Sequence, residues 1–513
     1  MKSETGESLS VWMATADVPT LKPLDGPVNA DVCVIGAGIA GLTTAYLLGK
    51  EGKRVVVLDD GPIASGQTRR TSAHLANALD DRYYEIERVR GKASARLAAE
   101  SHTAAIATIE RIVNDESIDC EFARLDGYLF LAPESKPGEL DKELAAAHDA
   151  GLSRVEKIEN PAILGFNPGP SLRFPDQGQF HVLKYVAGLA TAIEAQGGKI
   201  YTSTHVEKIE AGPPAKVHTT GGAIVTAGAV VVATNTPIND MFAIHTKQAP
   251  YMTYVIGAKV PKGSITLGLY WDTADPYHYI RIEPTPEGED ILIVGGEDHK
   301  TGQANDADAR YARLEAWARE RFATMGAVEY RWSGQVMESM DGLGFIGRNP
   351  GDAEHIYIAT GDSGMGMTHG TIAGLLITDL ILKRENPWTE LYDPSRKPIG
   401  AAGDFLRENL NVAGQYADWI TGGDVSSVHD IPKGQGAVMR RGLHKVAVYC
   451  DEEGTLHERS AVCPHLGCVV SWNSSETTWD CPCHGSRFDR HGTVINGPAN
   501  VDLPAIEIEK ART

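Results

Sequence analysis

The chain has no long uninterrupted apolar run, and a membrane-spanning helix needs about 20 consecutive apolar residues, so no transmembrane segment is expected. Basic charge is also in short supply. There are 48 Lys and Arg against 68 Asp and Glu, a net charge of −20, which argues against nucleic acid or an anionic membrane as a partner. Cysteine is scarce, 7 among 513 residues, with Cys33 in an apolar run and Cys120 and Cys450 isolated. That is not the disulfide framework of a small secreted protein. The start, Met1-Lys2-Ser3-Glu4-Thr5, lacks the basic and apolar regions of a signal peptide, so the expected location is cytoplasmic. Internal repeats and low-complexity tracts are missing too. The length still allows two or three domains with cores of their own.

What the chain does have is concentrated near its C-terminus. Cys463-Pro464-His465-Leu466-Gly467-Cys468 and Cys481-Pro482-Cys483-His484-Gly485-Ser486 each offer a cysteine and a histidine. Cys463, His465, Cys481 and His484 match the donor set of a [2Fe–2S] cluster with two thiolates on one iron and two imidazoles on the other. Replacing thiolate by imidazole makes such a cluster less negative and raises its potential. The same four donors suit tetrahedral zinc. Against zinc, the Cys-x-His step is shorter than finger spacing and each box carries a second cysteine.

These boxes resemble the Rieske iron–sulfur domain, and the resemblance covers roughly the last 85 residues. It implies a disulfide between Cys468 and Cys483 clipping the two loops, a bond unusual in a reducing cytosol. It implies that Ser486 donates a hydrogen bond toward a cluster sulfur, and that Gly497-Pro498-Ala499-Asn500 is the proline loop covering the cluster. Phe488 falls where high-potential members carry a tyrosine that donates to a cysteine ligand. Phenylalanine has no donor, so the expected potential lies below theirs.

At the other end, the apolar run Asp31-Val32-Cys33-Val34-Ile35 enters Gly36-Ala37-Gly38-Ile39-Ala40-Gly41, then a helical pattern from Leu42 to Lys50. A second apolar run, Arg54 to Leu58, ends at Asp59. A GxGxxG between strand and helix, with an acid closing the next strand, is the context of a dinucleotide site. The glycines let backbone amides approach a pyrophosphate at the helix N-terminus, and Asp59 would accept from a ribose.

Three further stretches favour FAD over NAD. They are Ser65 to His74, a small-polar loop; Thr204 to Ile209 followed by the strand Gly228 to Asn235; and Ile356 to Thr368, a glycine-rich strand-to-helix turn. A second GxGxxG in a strand–helix context is missing, so an organic substrate is the expected electron source rather than NAD(P)H. Together these stretches resemble the glycine/D-amino-acid oxidase (DAO) superfamily of FAD oxidoreductases, over residues 5–390.

That resemblance implies FAD contacts at Gly36, Gly38, Ile39, Ala40, Gly41, Asp59, Asp60, Gln67, Thr68, Thr71, Ser72, His74, Val206, Thr234, Gly361, Gly364, Met365, Gly366, Met367 and Thr368. A histidine in the position of His74 is covalently joined to flavin in some amine-oxidising relatives; an uncoupled histidine is commoner, and the local match is partial. The stretch 245–345, rich in aromatic and β-branched residues, would be the sheet that roofs the flavin. Arg281 is the candidate anchor for a substrate carboxylate by a charge-assisted pair, with Tyr254 and Tyr279 beside it among a group that includes Tyr251 and Tyr277. A catalytic base is not legible, and many superfamily members need none.

The expected organisation is an N-terminal arm at 1–30, a DAO-like oxidoreductase at 31–390, a linker with a helix at 391–423 and a Rieske domain at 424–513. The fold class is an α/β Rossmann-type FAD-binding domain with a β-sheet substrate domain, followed by an all-β Rieske domain. The chain is similar to bacterial fusions of an amino-acid-oxidase-type flavoprotein with a Rieske domain. This implies an oxidoreductase that takes hydride from an amine or amino-acid-like substrate onto FAD and passes single electrons through the cluster to an external carrier. The acidic charge is compatible with a basic carrier. Two alternatives stay open: a reductase whose electrons enter through the cluster, and a non-enzymatic docking module responsive to cluster state.

Overall fold

The computed structural model describes residues 6–136, 138–239, 244–286, 288–397 and 399–506. The first five residues of the expected arm, Pro398 of the expected linker and residues 507–513 of the expected C-terminal domain lie outside the described residues.

The first apolar run becomes the strand Val28–Ile35, which pairs in parallel with Ile224–Val232 on one side and Val55–Leu58 on the other. Its last four residues, Val32 to Ile35, are all buried. That fits a parallel strand covered on both faces, where a continuous apolar run replaces alternation. The full path is Phe345–Arg348, Ile356–Thr360, Ile224–Val232, Val28–Ile35, Val55–Leu58, Lys199–Tyr201. The helices Ile39–Lys50 and Gly366–Ile381 leave this sheet from its two glycine-rich turns and pack on each other.

A nine-stranded sheet faces it, in the order Val328–Ser339, Gln248–Pro261, Glu289–Lys300, Tyr279–Glu283, Leu269–Asp272, Ala123–Phe130, Ser171–Gln179, His74–Leu75, with the ninth strand, Glu156–Ile158, paired to Ser171–Gln179 off this path. The alanine-rich stretch after residue 90 forms the 24-residue helix Lys92–Asp115. Its buried face carries Ala95, Ala98, Ala99, His102, Ile106 and Ile109, the three-to-four spacing of an amphipathic helix.

The arm is not simply extended. Ser10 caps a short helix, Val11–Thr15, and Trp12 is fully buried with its indole N–H donating to Thr71 O at 2.6 Å. The linker is docked rather than loose. Its helix Ala402–Gln415 pairs Glu408 with Lys300, Asn411 with Gln303 (2.8 Å) and Asn409 with the Thr246 carbonyl (3.1 Å). The following turn donates from Tyr416 Oη to Leu466 O (2.7 Å) and from Trp419 Nε1 to Gly467 O (3.0 Å), on the first cysteine–histidine loop.

The C-terminal part holds two antiparallel sheets. One is Gln435–Arg441, His444–Cys450 and Leu456–Ser460; the other is Ser471–Asn473, Thr478–Asp480, Arg487–Asp489 and Val494–Asn496. Trp472 and Trp479 pack at 4.8 Å between ring centroids at their core. Among the described residues, no helix is long and apolar enough to cross a membrane.

Candidate functional site

Between the two large sheets lies a cavity of about 270 Å³ that runs from the glycine fingerprint to the roof strands. At its first end the backbone dictates glycine. Gly36 has φ +107°, and a Cβ on Gly41 would sit 1.9 Å from the Gly36 carbonyl oxygen, so the strand-to-helix turn closes only without side chains at these positions. Asp59, at the end of the second strand, accepts from the amides of Ala37 (2.6 Å) and Gly61 (2.8 Å). Burial and the neighbouring Asp60 push its carboxyl upward. Asp60 pairs with His205 Nδ1 at 3.3 Å.

Of the FAD contacts expected from sequence, all but Gly41 and Thr368 line this cavity. Gly41 acts behind the wall, in the close packing just described. Thr368 turns away and bonds His102 Nδ1 at 2.8 Å. His74 is held at both ring nitrogens, Nδ1 by the Ser72 hydroxyl (2.9 Å) and Nε2 by the Ile280 carbonyl (3.2 Å). The carbonyl requires the proton on Nε2, so Nδ1 accepts. Burial, with Arg281 nearby, lowers its pKa to about 3, which keeps the ring neutral.

Two of the three expected substrate anchors are not at the cavity. Arg281 is fully buried, and its guanidinium is taken up by Glu283 and by the carbonyls of Ala73 (2.9 Å) and Phe180 (3.2 Å). It fastens the back of the loop whose front lines the cavity, and its charge is already balanced, so it cannot offer a fork to a ligand. Tyr254 points to the far face of its strand, where its hydroxyl meets His299 Nε2 at 2.9 Å. Its neighbour Thr253 points inward, as alternation requires. Tyr279 and Tyr277 do line the cavity; Tyr251 does not.

The roof end of the cavity carries residues that sequence reasoning missed. Asp80, Asp298, Glu338 and Asp362 all line it, with Trp271 and Thr253. Tyr277 Oη donates to Asp80 at 2.6 Å, and Thr253 Oγ1 and Tyr279 Oη are 2.8 Å apart. Burial raises the carboxyl of Asp80 to about 6, of Asp362 to about 6 and of Asp298 to about 7. Glu338 is raised by burial and then by the charges of Asp81, Asp80, Asp362 and Asp298. Asp362 stood inside a recognised glycine-rich stretch, but Asp80, Asp298 and Glu338 lie far apart in sequence and only the fold brings them together.

The C-terminal loops form the second centre. The Cys463 and Cys481 thiols lie within hydrogen-bonding reach of each other. The amides of His465 and Leu466 and the Ser486 hydroxyl point at Cys463, and the amides of Cys483 and His484 point at Cys481. Donors to sulfur favour thiolate, the form that binds iron. The rings of His465 and His484 are 5.0 Å apart, and His484 Nδ1 is buried without a hydrogen-bond partner among the described residues. Two thiolates and two imidazoles converging on one spot fit a mixed-ligand cluster. Cys468 and Cys483 form the disulfide that ties the loops, over a sequence separation of 15. That bond explains why the sulfurs of Cys468, Cys481 and Cys483 lie within 4.8 Å of one another without forming a metal triad.

The two centres are joined by a polar interface. Arg70, from the loop after Asp59, pairs with Glu476 of the C-terminal domain at 3.2 Å, with both side chains almost fully buried. Glu476 also accepts from Ser333 Oγ (2.5 Å) and Ser8 N (3.2 Å). Gln335 donates to the Gly485 carbonyl in the second cluster loop (3.0 Å) and accepts from Asn496 Nδ2 (2.6 Å). His245, from the oxidoreductase part, places its ring 5.0 Å from His465 and 6.2 Å from His484. Val494, Ile495, Asn496, Gly497, Ala499 and Asn500 line the same cavity as the glycine fingerprint.

Comparison with known proteins agrees with this geometry. Residues 31–380 match the family described as FAD dependent oxidoreductase (DAO), and residues 422–507 match the Rieske [2Fe-2S] domain. The chain is 32% identical over 503 residues to the putative Rieske 2Fe-2S iron-sulfur protein YhfW of Bacillus subtilis strain 168, with 97% of each chain covered. It is 27% identical over 369 residues to gamma-glutamylputrescine oxidoreductase of Escherichia coli strain K12, covering 70% of this chain and 85% of that one. Its fold is similar to the crystal structure of glycine oxidase from Geobacillus kaustophilus, with a TM-score of 0.58 at 18% identity over 72% of this chain and 99% of that one. The chain therefore belongs to the DAO family of FAD-dependent oxidoreductases, an enzyme that binds FAD and carries a [2Fe–2S] cluster in a C-terminal Rieske domain.

Proposed function

We propose that the enzyme oxidises an amine at the roof end of the cavity and passes the electrons, one at a time, through its own Rieske cluster to an external carrier. The observation that carries this reading is the shared wall: Asn496, Gly497, Ala499 and Asn500 of the Rieske domain line the cavity that also holds the glycine fingerprint. The similarity to an oxidoreductase named for gamma-glutamylputrescine supports an amine as substrate.

When bound, flavin supplies a two-electron acceptor that can be discharged singly, and the cluster supplies a one-electron carrier. In the substrate, a neutral amine loses hydride from the carbon beside nitrogen. The C–H electron pair would pass with its hydrogen to a bound flavin, the nitrogen lone pair would form the new C=N bond, and water would convert the resulting iminium ion to carbonyl and ammonium. Tyr277 and Tyr279 would orient that carbon with their ring faces, their hydroxyls being held by Asp80 and Thr253, while the two sheets exclude bulk water. Gly36 and Gly38 would seat the pyrophosphate, the amide of Ile39 being taken by Thr68 Oγ1 (3.1 Å), and Asp59 with the paired Asp60 and His205 would serve the ribose.

On the cluster side, His245 and Gln335 hold the two histidine-bearing loops toward the oxidoreductase part. The first loop keeps Pro464 to Gly467 half-buried at the surface, the side from which a carrier can take electrons. Holding both centres in one chain keeps their effective concentration high. Anaerobic mixing with a panel of amines, watching flavin and cluster absorbance together, tests the reading. Both centres should be reduced by one substrate. Bleached flavin beside a cluster that stays oxidised would sink it.

A further inference from the structure

The roof end of the cavity has the wrong charge for an amino acid. Four carboxylates face it, Asp80, Asp298, Glu338 and Asp362. Among the described lining residues Arg70 is the sole arginine or lysine, and its guanidinium is committed to Glu476 and to the Ser333 carbonyl (2.9 Å). His74 is neutral and doubly bonded. The expected anchor Arg281 is buried behind the wall. A substrate carboxylate would therefore meet acids and rings, with no cation free to receive it.

We propose that the substrate is an aliphatic amine that carries a second cationic group and no carboxylate. This deepens the reading above and rests on it. Buried charges in proteins are paired or bound to metal. Asp298 Oδ1 is buried and has no hydrogen-bond partner among the described residues. Tyr277 gives Asp80 a neutral donor, and the Met337 amide reaches Asp362 only at 3.4 Å. Among the described residues none of the three forms a salt bridge, and burial holds their carboxyls above the ordinary range against the weaker pull of Arg82 on Asp80 and of Thr253 and Arg310 on Asp298. A metal ion does not fit: among the described residues no group of these acids brings three ligand atoms within 4.8 Å of one another. An organic cation does. Trp271, Tyr277 and Tyr279 supply ring faces, which attract ammonium and pack against methylenes. Val336 and Glu338 lie two apart on one strand face, an apolar then an acidic position along the same wall. The reacting nitrogen must be neutral to give up hydride, so the acids serve the remote ammonium and set the substrate's charge.

The holoenzyme tests this with four probes of similar size: putrescine, butylamine, gamma-aminobutyrate and proline. Perturbation of the flavin spectrum reports binding, and anaerobic bleaching reports oxidation. Putrescine should bind at least about tenfold more tightly than butylamine, the gain of one charge-assisted contact, and gamma-aminobutyrate and proline should bind more weakly than either. Asp298→Asn and Glu338→Gln should each remove most of the preference for putrescine over butylamine while leaving butylamine binding within about twofold, a split that general loss of folding would not produce. The proposal is overturned if the carboxylated probes bind as well as putrescine, or if putrescine leaves the spectrum unchanged at about 1 mM, the top of the ordinary KM range. Putrescine binding without bleaching would keep the charge assignment and remove amine oxidation. Bleaching by proline alone would do the reverse.

Discussion

Replacing Glu476 separates the role of the interface from that of either centre. This carboxylate reaches across from the Rieske domain to Arg70, Ser8 and Ser333, and all of it is buried. In Glu476→Ala the Arg70 guanidinium stays behind in a site from which water is excluded. Breaking such a pair from one side costs about 3–5 kcal/mol. If the whole cost falls on docking, the balance between docked and released Rieske domain moves by two to three and a half powers of ten, at about 1.4 kcal/mol per tenfold. The expected outcome in anaerobic rapid mixing is flavin reduction by substrate within about threefold of wild type, and flavin-to-cluster transfer slowed by at least about tenfold. Acid should mimic the substitution. Burial pushes Glu476 upward, but Arg70 and Arg487, with the Ser333 and Ser8 hydroxyls, outweigh it and hold the carboxyl below its ordinary value. A depressed folded pKa gives stability that is complete above the unfolded value, about 4.3, and is lost as pH falls toward the folded one. Docking should therefore weaken below about pH 4.3 in wild type and show no such step in Glu476→Gln. An alanine variant with unchanged unfolding and unchanged transfer would refute the assignment of docking energy to this pair.

Two further outcomes follow from single side chains. Phe488 is fully buried and offers no donor to the cluster sulfurs. Redox titration should give a potential below that of tyrosine-bearing relatives, and Phe488→Tyr should raise it by about 60 mV or more if the new hydroxyl makes a charge-assisted bond of about 1.4 kcal/mol. Both nitrogens of His74 are engaged, so flavin should not be covalently attached, and acid precipitation should leave the yellow colour in the supernatant; colour pelleting with the protein would contradict this.

Much of this architecture is readable from short-range pattern. The first strand is a solid apolar run because it lies between two parallel neighbours, and its glycine turn is obligatory because Gly41 packs onto the Gly36 carbonyl. The candidate cluster ligands Cys463, His465, Cys481 and His484 sit within two short loops, so spacing alone brings them to notice. The substrate end is different. Asp80, Asp298, Glu338 and Asp362 come from three strands or turns and a loop, and each looks like an ordinary surface acid until the sheets close. Arg281 misled for the opposite reason: an arginine among tyrosines suggests a carboxylate clamp, but Glu283 two residues on had already matched its charge along the same strand face. The interface was equally illegible, since Arg70 and Glu476 are joined only by the docking of two domains.

That docking has a consequence for the cofactor. Gln335 donates its amide to Gln67 Oε1 at 2.7 Å and bonds Gly485 and Asn496 through its side chain. Gln67, Gln335 and Asn496 all line the cavity. A flavin held there, as proposed, touches groups whose positions depend on the Rieske domain being in place. Binding that prefers the docked form must in turn stabilise docking, by the same factor. At a flavin concentration of 100 times Kd, preference for the docked form alone would add about 2.7 kcal/mol, comparable to the Arg70–Glu476 pair. Hydrogen exchange can measure this. Removing flavin from the intact protein should raise exchange across residues 494–500, and Gln335→Ala should do so with flavin still bound, while weakening its retention. If flavin removal leaves that turn fully protected, the wall is rigid without its ligand, and cofactor binding and domain docking are independent.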